Sequence, residues 1–133
     1  MNDAGDTADA VTTIDSEELA AHVERNDVFL LDLRKSAHGG QIYGAIRYDP
    51  KKLRGASKLI LPLPKSDGLV VLYDEQGDSN ALRDLAEKLR SNGYGTLRIL
   101  EGGYAAWERA GGRTEEPTIE QPVPLASEHQ INR

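Results

Sequence analysis

The sequence predicts an α/β fold with a mostly parallel central sheet of about five strands and helices on both faces. Two observations predict it. First, strand-length apolar runs alternate along the chain with segments of helical periodicity, as in parallel sheets joined by helical crossovers. Second, the two clearest runs, residues 28–33 and 68–73, are almost continuously apolar rather than alternating. This is typical of strands that are covered on both faces.

The first half of the chain begins with a predicted strand at residues 11–14. Asp15 is expected to cap the following helix, because its carboxylate can accept a backbone N–H, and Glu18 completes a capping-box pattern. Three further segments follow the strand at 28–33: a glycine-containing loop at 34–44, a strand at 45–48, and a short helix with Asp49 as cap and Pro50 as first residue.

The second half begins with residues 59–64, where Pro62 and Pro64 exclude a central strand, so we expect an extended connector there. Four apolar residues at helical spacing predict an amphipathic helix after the strand at 68–73. They are Leu82, Leu85, Ala86 and Leu89. The last predicted elements are a helix stop at Asn92-Gly93, a strand at 96–100, and a short helix that enters through Gly102-Gly103 and extends to Trp107.

Charge divides the chain into three predicted parts. Residues 1–10 contain three acids and no base, and we expect an acidic, flexible N-terminal segment. Residues 114–133 contain four acids, one base, three prolines and no apolar periodicity, and we expect an acidic, mobile C-terminal tail. The net charge of −6 comes from these two ends, because residues 11–113 contain 15 acids and 15 bases. We expect residues 11–113 to form one domain.

Composition excludes several classes of function. No apolar run approaches the roughly 18 residues that a membrane helix needs. The acidic N-terminus is the opposite of a signal peptide, so we expect a cytoplasmic protein. The chain has no cysteine, which excludes disulfides, thiolate metal sites and thiol nucleophiles. The three histidines are scattered, and we expect neither a metal site nor another cofactor.

Residues 34–65 contain eight bases and one acid. They could form a basic face, although ordinary solvated side chains are the simpler interpretation. Aromatic residues do not alternate with the bases, so we expect no nucleic-acid binding. The candidates for the basic face are Arg47, Lys51, Lys52, Arg54 and Lys58.

Four segments resemble the single-domain rhodanese family in their order and spacing. They are the strand ending in Asp32-Leu33-Arg34; the element Gly-Gln-Ile-Tyr-Gly-Ala-Ile at 40–46; the strand at 70–73 with the loop 74–79 and a helix after it; and Leu-Glu-Gly-Gly-Tyr-Ala-Ala-Trp at 100–107. The resemblance implies the rhodanese-like fold. In active members it also implies sulfur transfer by a cysteine at the start of the loop.

The sequence departs from the family where the chemistry would take place. Asp74 stands at the position of the catalytic cysteine, and Ser79 stands where an arginine is usual. Gln41 and Tyr43 replace the histidine and proline of the preceding element. We therefore expect no catalytic residue of the family's type and no cysteine-dependent thiosulfate sulfurtransferase activity. The active-site-like loop consists of Asp74, Glu75, Gln76, Gly77, Asp78 and Ser79.

A loop between a parallel strand and a helix can direct several backbone N–H groups inward, which forms an anion site. Asp74 could accept those N–H groups itself, and we expect it to cap the following helix. Two alternatives stay open. Asp74 could be a nucleophile, as in aspartyl-phosphate enzymes, or Asp74, Glu75 and Asp78 could bind a divalent cation weakly, although they lack the spacing of a calcium loop.

Other candidate residues have structural interpretations. We expect Asp32 and Arg34 to form a structural pair that fixes the loop after their strand, rather than a catalytic pair. Trp107 is expected in the core, and His38 in an exposed loop rather than in the pocket.

The function predicted from these observations is that of a catalytically inactive, regulatory or protein-binding module, with another protein as its partner. The alternative is an enzyme of unrecognised chemistry that uses the loop 74–79, or a weak metal or anion site there. The sequence predicts neither a particular partner nor an oligomeric state.

Overall fold

The structure is a computed structural model that describes residues 11–36, 39–56, 61, 68–77 and 80–123 of the 133-residue chain. Strands and helices alternate over most of this length. In chain order they are β1 Thr12–Ile14, α1 Ser16–Arg25, β2 Val28–Asp32, β3 Gln41–Ile42, β4 Ile46–Arg47, α2 Pro50–Gly55, β5 Leu69–Tyr73, α3 Asn80–Ser91, β6 Thr96–Leu100, α4 Gly103–Arg109 and β7 Thr114–Glu115.

The main sheet has five strands in the order β1-β6-β5-β2-β4, and all of its neighbours are parallel. The predicted fold class is therefore confirmed. β2 and β5 lie side by side near the middle, with Leu30 opposite Val71 and Asp32 opposite Tyr73. Because parallel strands end at the same edge of a sheet, the residues after β2 and β5 meet there.

Helices cover both faces of the sheet, because successive strand residues point to opposite sides. On one face, β5 contributes Val70 and Leu72 to a core that α2 and α3 complete. On the other face, Val71 and Tyr73 pack with residues of α1 and α4. The leucines predicted at helical spacing in α3 are all buried, and each contributes about 1.5–3 kcal/mol relative to exposure.

Two helix starts follow from local chemistry, as predicted. Asp15 Oδ1 accepts the N–H of Glu18 at 2.8 Å, and Asp49 Oδ1 accepts that of Lys51 at 2.9 Å. The Glu18 carboxylate does not complete the capping box in the described contacts but binds Arg98, at 2.8 Å. This ion pair ties α1 to β6.

We predicted that residues 114–133 form a mobile tail, but residues 114–123 contact the rest of the domain. β7 pairs antiparallel with β3 in a second, two-stranded sheet. Farther on, the N–H of Gln121 donates to the carbonyl of Arg47 at 2.7 Å, and Val123 is buried in the core with α2 and α3. This docking could not be predicted from the acidic, proline-containing sequence, because the partners are far away in the chain and leave no local pattern.

Some predictions lie wholly or partly outside the described residues. These are the flexible segment at 1–10, residues 124–133, and the connector at 59–64 except for Leu61. Leu61 is buried, and its N–H donates to the hydroxyl of Tyr94 at 2.7 Å.

Candidate functional site

The loop that follows β5 begins at Asp74, at the carboxyl edge of the sheet. Asp74 Oδ1 accepts the backbone N–H of Gly77 at 2.5 Å. The carboxylate thus turns back into the loop and takes up one of the N–H groups that could otherwise face an anion. That Asp74 caps α3 stays a prediction, because residues 78 and 79, just before the helix, lie outside the described part of the chain.

The backbone of α4 holds this loop in place through hydrogen bonds. The N–H groups of Tyr104 and Ala105 donate to the carbonyls of Asp74 and Glu75, at 2.9 and 3.1 Å. At Gly103 a Cβ would lie 2.6 Å from the carbonyl oxygen of Asp74, and φ is +63°. Glycine is required there because any side chain would push the loop away. The Gly-Gly pair before α4 therefore fixes the course of the loop.

Asp32 and Arg34, predicted as a structural pair, form a buried ion pair at the end of β2. Nη2 of Arg34 lies 2.9 Å from Oδ2 of Asp32, and the backbone N–H of Arg34 donates to Oδ1 at 3.0 Å. The Tyr73 hydroxyl donates to the same carboxylate at 2.7 Å and accepts the N–H of Ile42 at 3.0 Å. One carboxylate thus joins the ends of β2, β5 and β3.

The guanidinium of Arg34 connects this pair to the loop. It stacks on the Tyr104 ring at 4.0 Å from the centroid, donates to the carbonyl of Gly40, and lies 3.7 Å from Glu75. Burial disfavours its charge, but the hydrogen bond and the charge of Asp32 prevail, so the pKa of Arg34 is raised. Arg34 therefore stays charged.

The hydroxyl of Tyr73 is held in its neutral form. Burial, followed by the negative charge of Asp32, raises the pKa of Tyr73 far above its ordinary value. A hydroxyl with such a pKa donates a hydrogen bond but does not ionise near neutral pH. Tyr73 is therefore a structural donor and a poor general base.

An open cleft of about 720 Å³ lies beside the loop. Asp74, Glu75 and Gln76 line it, together with residues after β2 and residues of α2 and α3. The remaining lining residues are Leu33, Arg34, Lys35, Ser36, Pro50, Lys51, Arg54, Ala81, Leu82 and Leu85. The Asp74 carboxylate does not fill the cleft, so there is room for a ligand.

The predicted basic face is divided between two places. Lys51 and Arg54 line the cleft, because residues three apart share one side of α2. Lys52 lies 3.8 Å from Glu120, and Arg47 donates to the carbonyl of Thr118 at 3.5 Å. The candidates for a basic face are thus not all in one place, because Arg47 and Lys52 contact the C-terminal segment. Lys58 lies outside the described residues.

Gln41 has a role that the sequence did not suggest. It is completely buried, and its side-chain oxygen accepts the N–H of Thr118 at 2.9 Å. Its side-chain nitrogen donates to Glu115 at 2.7 Å and to the carbonyl of Ala45 at 3.0 Å. Gln41 is thus the anchor of residues 114–118. Glu115 and Thr118 are more than 70 residues away from Gln41, so no local signal could have identified this role.

The remaining candidates lie apart from the loop. Trp107 is buried in the core as predicted, and its Nε1 donates to the carbonyl of Arg113 at 3.1 Å. Tyr43 is 38% exposed and stacks with the guanidinium of Arg113 at 3.8 Å. His38 lies outside the described residues.

The described residues bear on two classes of function, metal binding and membrane spanning. Within them, no three histidine, aspartate or glutamate side chains cluster in a way that could hold a metal ion. None of the helices found there has the length and apolarity needed to cross a membrane.

Comparison with known proteins gives a family and several similar structures. A family model described as "Rhodanese-like domain" matches residues 15–110, whereas no curated protein matches the chain. The rhodanese-like domain of the Anabaena sp. protein Alr3790 is 29% identical, with 78% of each chain covered and a TM-score of 0.61.

Two more structures share the fold. SseA from Escherichia coli, a 3-mercaptopyruvate sulfotransferase, is 25% identical with a TM-score of 0.62; 86% of this chain and 53% of SseA are covered, so the chain spans about half of that protein. A protein of unknown function from Rhodopseudomonas palustris, described as a possible tyrosine phosphatase, is 24% identical with a TM-score of 0.64, covering 79% of this chain and 85% of that one.

Proposed function

We propose that this chain, which belongs to the rhodanese-like domain family, is a non-catalytic member that serves as a protein-binding, regulatory module. One observation carries the proposal. At the loop position where the family resemblance places the catalytic cysteine, the chain has Asp74, and it has no cysteine anywhere else.

Sulfur transfer through this loop needs a thiol. The sulfur atom must attack the donor as a nucleophile and then carry the second sulfur as a persulfide. A carboxylate oxygen cannot form that persulfide. The same reasoning applies to any reaction that begins with thiolate attack, so the phosphatase description of the Rhodopseudomonas protein gives no support for a thiol mechanism here.

The electrostatics of the loop also oppose the binding of a small anion. The Asp74 carboxylate already accepts the N–H of Gly77. Glu75 adds a second negative charge at the edge of the cleft, 3.7 Å from Arg34. Thiosulfate would therefore meet two carboxylates where an active member offers unoccupied donors.

The open cleft supports a binding role. Its volume of about 720 Å³ falls within the range of roughly 300–1,000 Å³ typical of ligand pockets. The backbone around it is held by α4 and by the buried pair of Asp32 and Arg34. A preformed cleft without its nucleophile is suited to recognition rather than to turnover.

The purified protein is expected to form no thiocyanate from thiosulfate and cyanide above the rate in buffer, because no thiol is present. A cysteine-containing rhodanese, assayed in parallel, serves as the positive control. Thiocyanate formation that increases in proportion to the concentration of this protein would refute the proposal.

A second candidate function is an enzyme that uses the Asp74 carboxylate. The observation in its favour is that Asp74, Glu75 and Arg34 all line the open cleft. A panel of phosphoesters and thioesters tests it, with Asp74→Asn as the matched variant. Product release that is present in the wild type and lost in Asp74→Asn would establish this candidate instead of the binding module.

A further inference from the structure

Three basic side chains line the cleft in addition to the acidic loop. Lys35 follows β2, and Lys51 and Arg54 lie on one side of α2. All three are exposed, and we call them the basic rim. Within the part of the chain that the structure describes, none of their side chains forms an ion pair. The basic rim therefore offers positive charge to a ligand.

Apolar residues also line the cleft, and we call them its floor. They are Leu33, Pro50, Ala81, Leu82 and Leu85. The three leucines are almost completely buried, so Pro50 and Ala81 present the accessible apolar surface. An apolar group placed there would leave water for a surface of similar character. The cleft thus combines an apolar surface with exposed positive charge.

This arrangement favours a chain of several residues over a small anion. A compact anion in the loop would lie beside Asp74 and Glu75, which repel it. Lys35 follows β2, whereas Lys51 and Arg54 lie on α2. Carboxylates spaced along an extended chain could therefore approach the basic rim while staying away from the loop. An apolar side chain between those carboxylates would reach the floor.

We propose that the cleft binds an acidic peptide segment of a partner protein, whose carboxylates pair with Lys35, Lys51 and Arg54 and whose apolar side chain rests on Pro50 and Ala81. The inference rests on the proposed binding function and specifies the chemistry of the partner. The contribution of the charges falls as salt is added, since exposed charges are screened within about 8 Å at physiological ionic strength.

The test begins with the full chain and a displayed library of random nine-residue peptides. The proposal predicts an enriched consensus in which two or more aspartates or glutamates flank a leucine, isoleucine, methionine or phenylalanine. A selection without consensus, or a consensus without acidic residues, overturns it. Binding to phosphatidylserine vesicles in the absence of a peptide consensus would indicate a membrane surface instead and would also overturn it.

The consensus peptide is then titrated against two charge-reversed variants. Lys51→Glu with Arg54→Glu should weaken binding at least tenfold. Lys52→Glu with Arg83→Glu reverses the same number of charges at exposed positions that do not line the cleft, and should change the affinity less than twofold. Equal weakening by both pairs would mean that only net charge matters, and would overturn the proposal.

A third measurement asks for a gain of binding, which an unfolded variant could not show. A peptide with lysine in place of its acids should not bind the wild type but should bind the Lys51→Glu, Arg54→Glu variant, whereas failure of this charge exchange contradicts the proposed pairing. The thiocyanate assay on the same preparation separates the two proposals: activity refutes the non-catalytic function, while a failed peptide selection without activity refutes only the acidic partner.

Discussion

At the scale of single residues, Asp74 keeps one property of the cysteine whose position it occupies and loses another. Its carboxylate accepts the N–H of Gly77, so a backbone N–H of the loop is still directed at an acidic side chain at position 74. It cannot hold a second sulfur atom. The conformation of the loop is therefore maintained by hydrogen bonds that do not depend on the chemistry of the family.

Tyr73→Phe tests the buried network around Asp32. The substitution removes the hydroxyl that donates to Asp32 and accepts the N–H of Ile42. The buried N–H of Ile42 would then lose its described partner and Asp32 would lose one of its donors, and we expect the free energy of unfolding to fall by about 1–3 kcal/mol. Urea denaturation followed by circular dichroism measures this change.

Tyr43→Phe is the matched control, because the Tyr43 ring is partly exposed and keeps its stacking on Arg113 without the hydroxyl. It should change stability by no more than about 0.5 kcal/mol. If Tyr73→Phe is as stable as the control, the hydroxyl does not contribute to joining the strand ends.

At the scale of elements, the segment from β7 to Val123 belongs to the domain. Removing residues 114–123 deprives Gln41 of its partners Thr118 and Glu115 and uncovers the core at Val123. We expect a chain that ends at residue 113 to be about 2 kcal/mol less stable than one that ends at residue 123. For a domain of this size, the melting temperature would fall by about 8 °C.

The comparison of these two chains by thermal denaturation keeps the rest of the sequence constant. Gln41→Ala in the chain that ends at residue 123 removes the anchor alone and should give a smaller decrease in the same direction. Equal melting temperatures for the chains ending at 113 and 123 would show that the docking of β7 contributes nothing, as expected for a tail outside the domain.

Elements with local signals were predictable from the sequence. β6 and α3 follow from an apolar run and a helical repeat, and the starts of α1 and α2 follow from Asp15 and Asp49. β3 and β7 could not be predicted, because each has only two residues in the structure and pairs with a strand about 70 residues away. Such pairing depends on tertiary contacts rather than on periodicity.

The candidate site was predictable in part for the same reason. The loop at Asp74 could be found from its position after β5, and the pairing of Asp32 with Arg34 from the resemblance. The separation of the basic residues could not be predicted. Lys51 and Lys52 are neighbours in the sequence, but Lys51 lines the cleft whereas Lys52 contacts Glu120. The structural role of Gln41 depends on contacts with β7 and the residues after it, so it could not be predicted either.

At the scale of the whole molecule, the topology determines where a site can form. β2 and β5 are adjacent and parallel, so that Leu33 and Asp74 reach the same edge of the sheet. α2 and α3 then enclose the cleft at that edge. The same scaffold can serve sulfur transfer or recognition, since the fold does not by itself determine the reaction.

The central claim is that the loop keeps a backbone N–H directed at the side chain of position 74 and lacks the nucleophile. Asp74→Cys tests this most directly, because a thiol there should accept the N–H of Gly77 as its thiolate. Hydrogen-bond donation to the charged form lowers a thiol pKa. We expect the pKa of the new thiol to fall below the free value of about 8.5, in spite of the nearby Glu75.

Thr12→Cys, at an exposed position of β1, provides the reference thiol in the same protein. The measurement is the ultraviolet absorbance of the thiolate as a function of pH for both variants. The account predicts that the thiol introduced at position 74 titrates at a lower pH than the thiol introduced at position 12. A thiol at position 74 that titrates at the same pH as the reference, or at a higher one, would contradict the account.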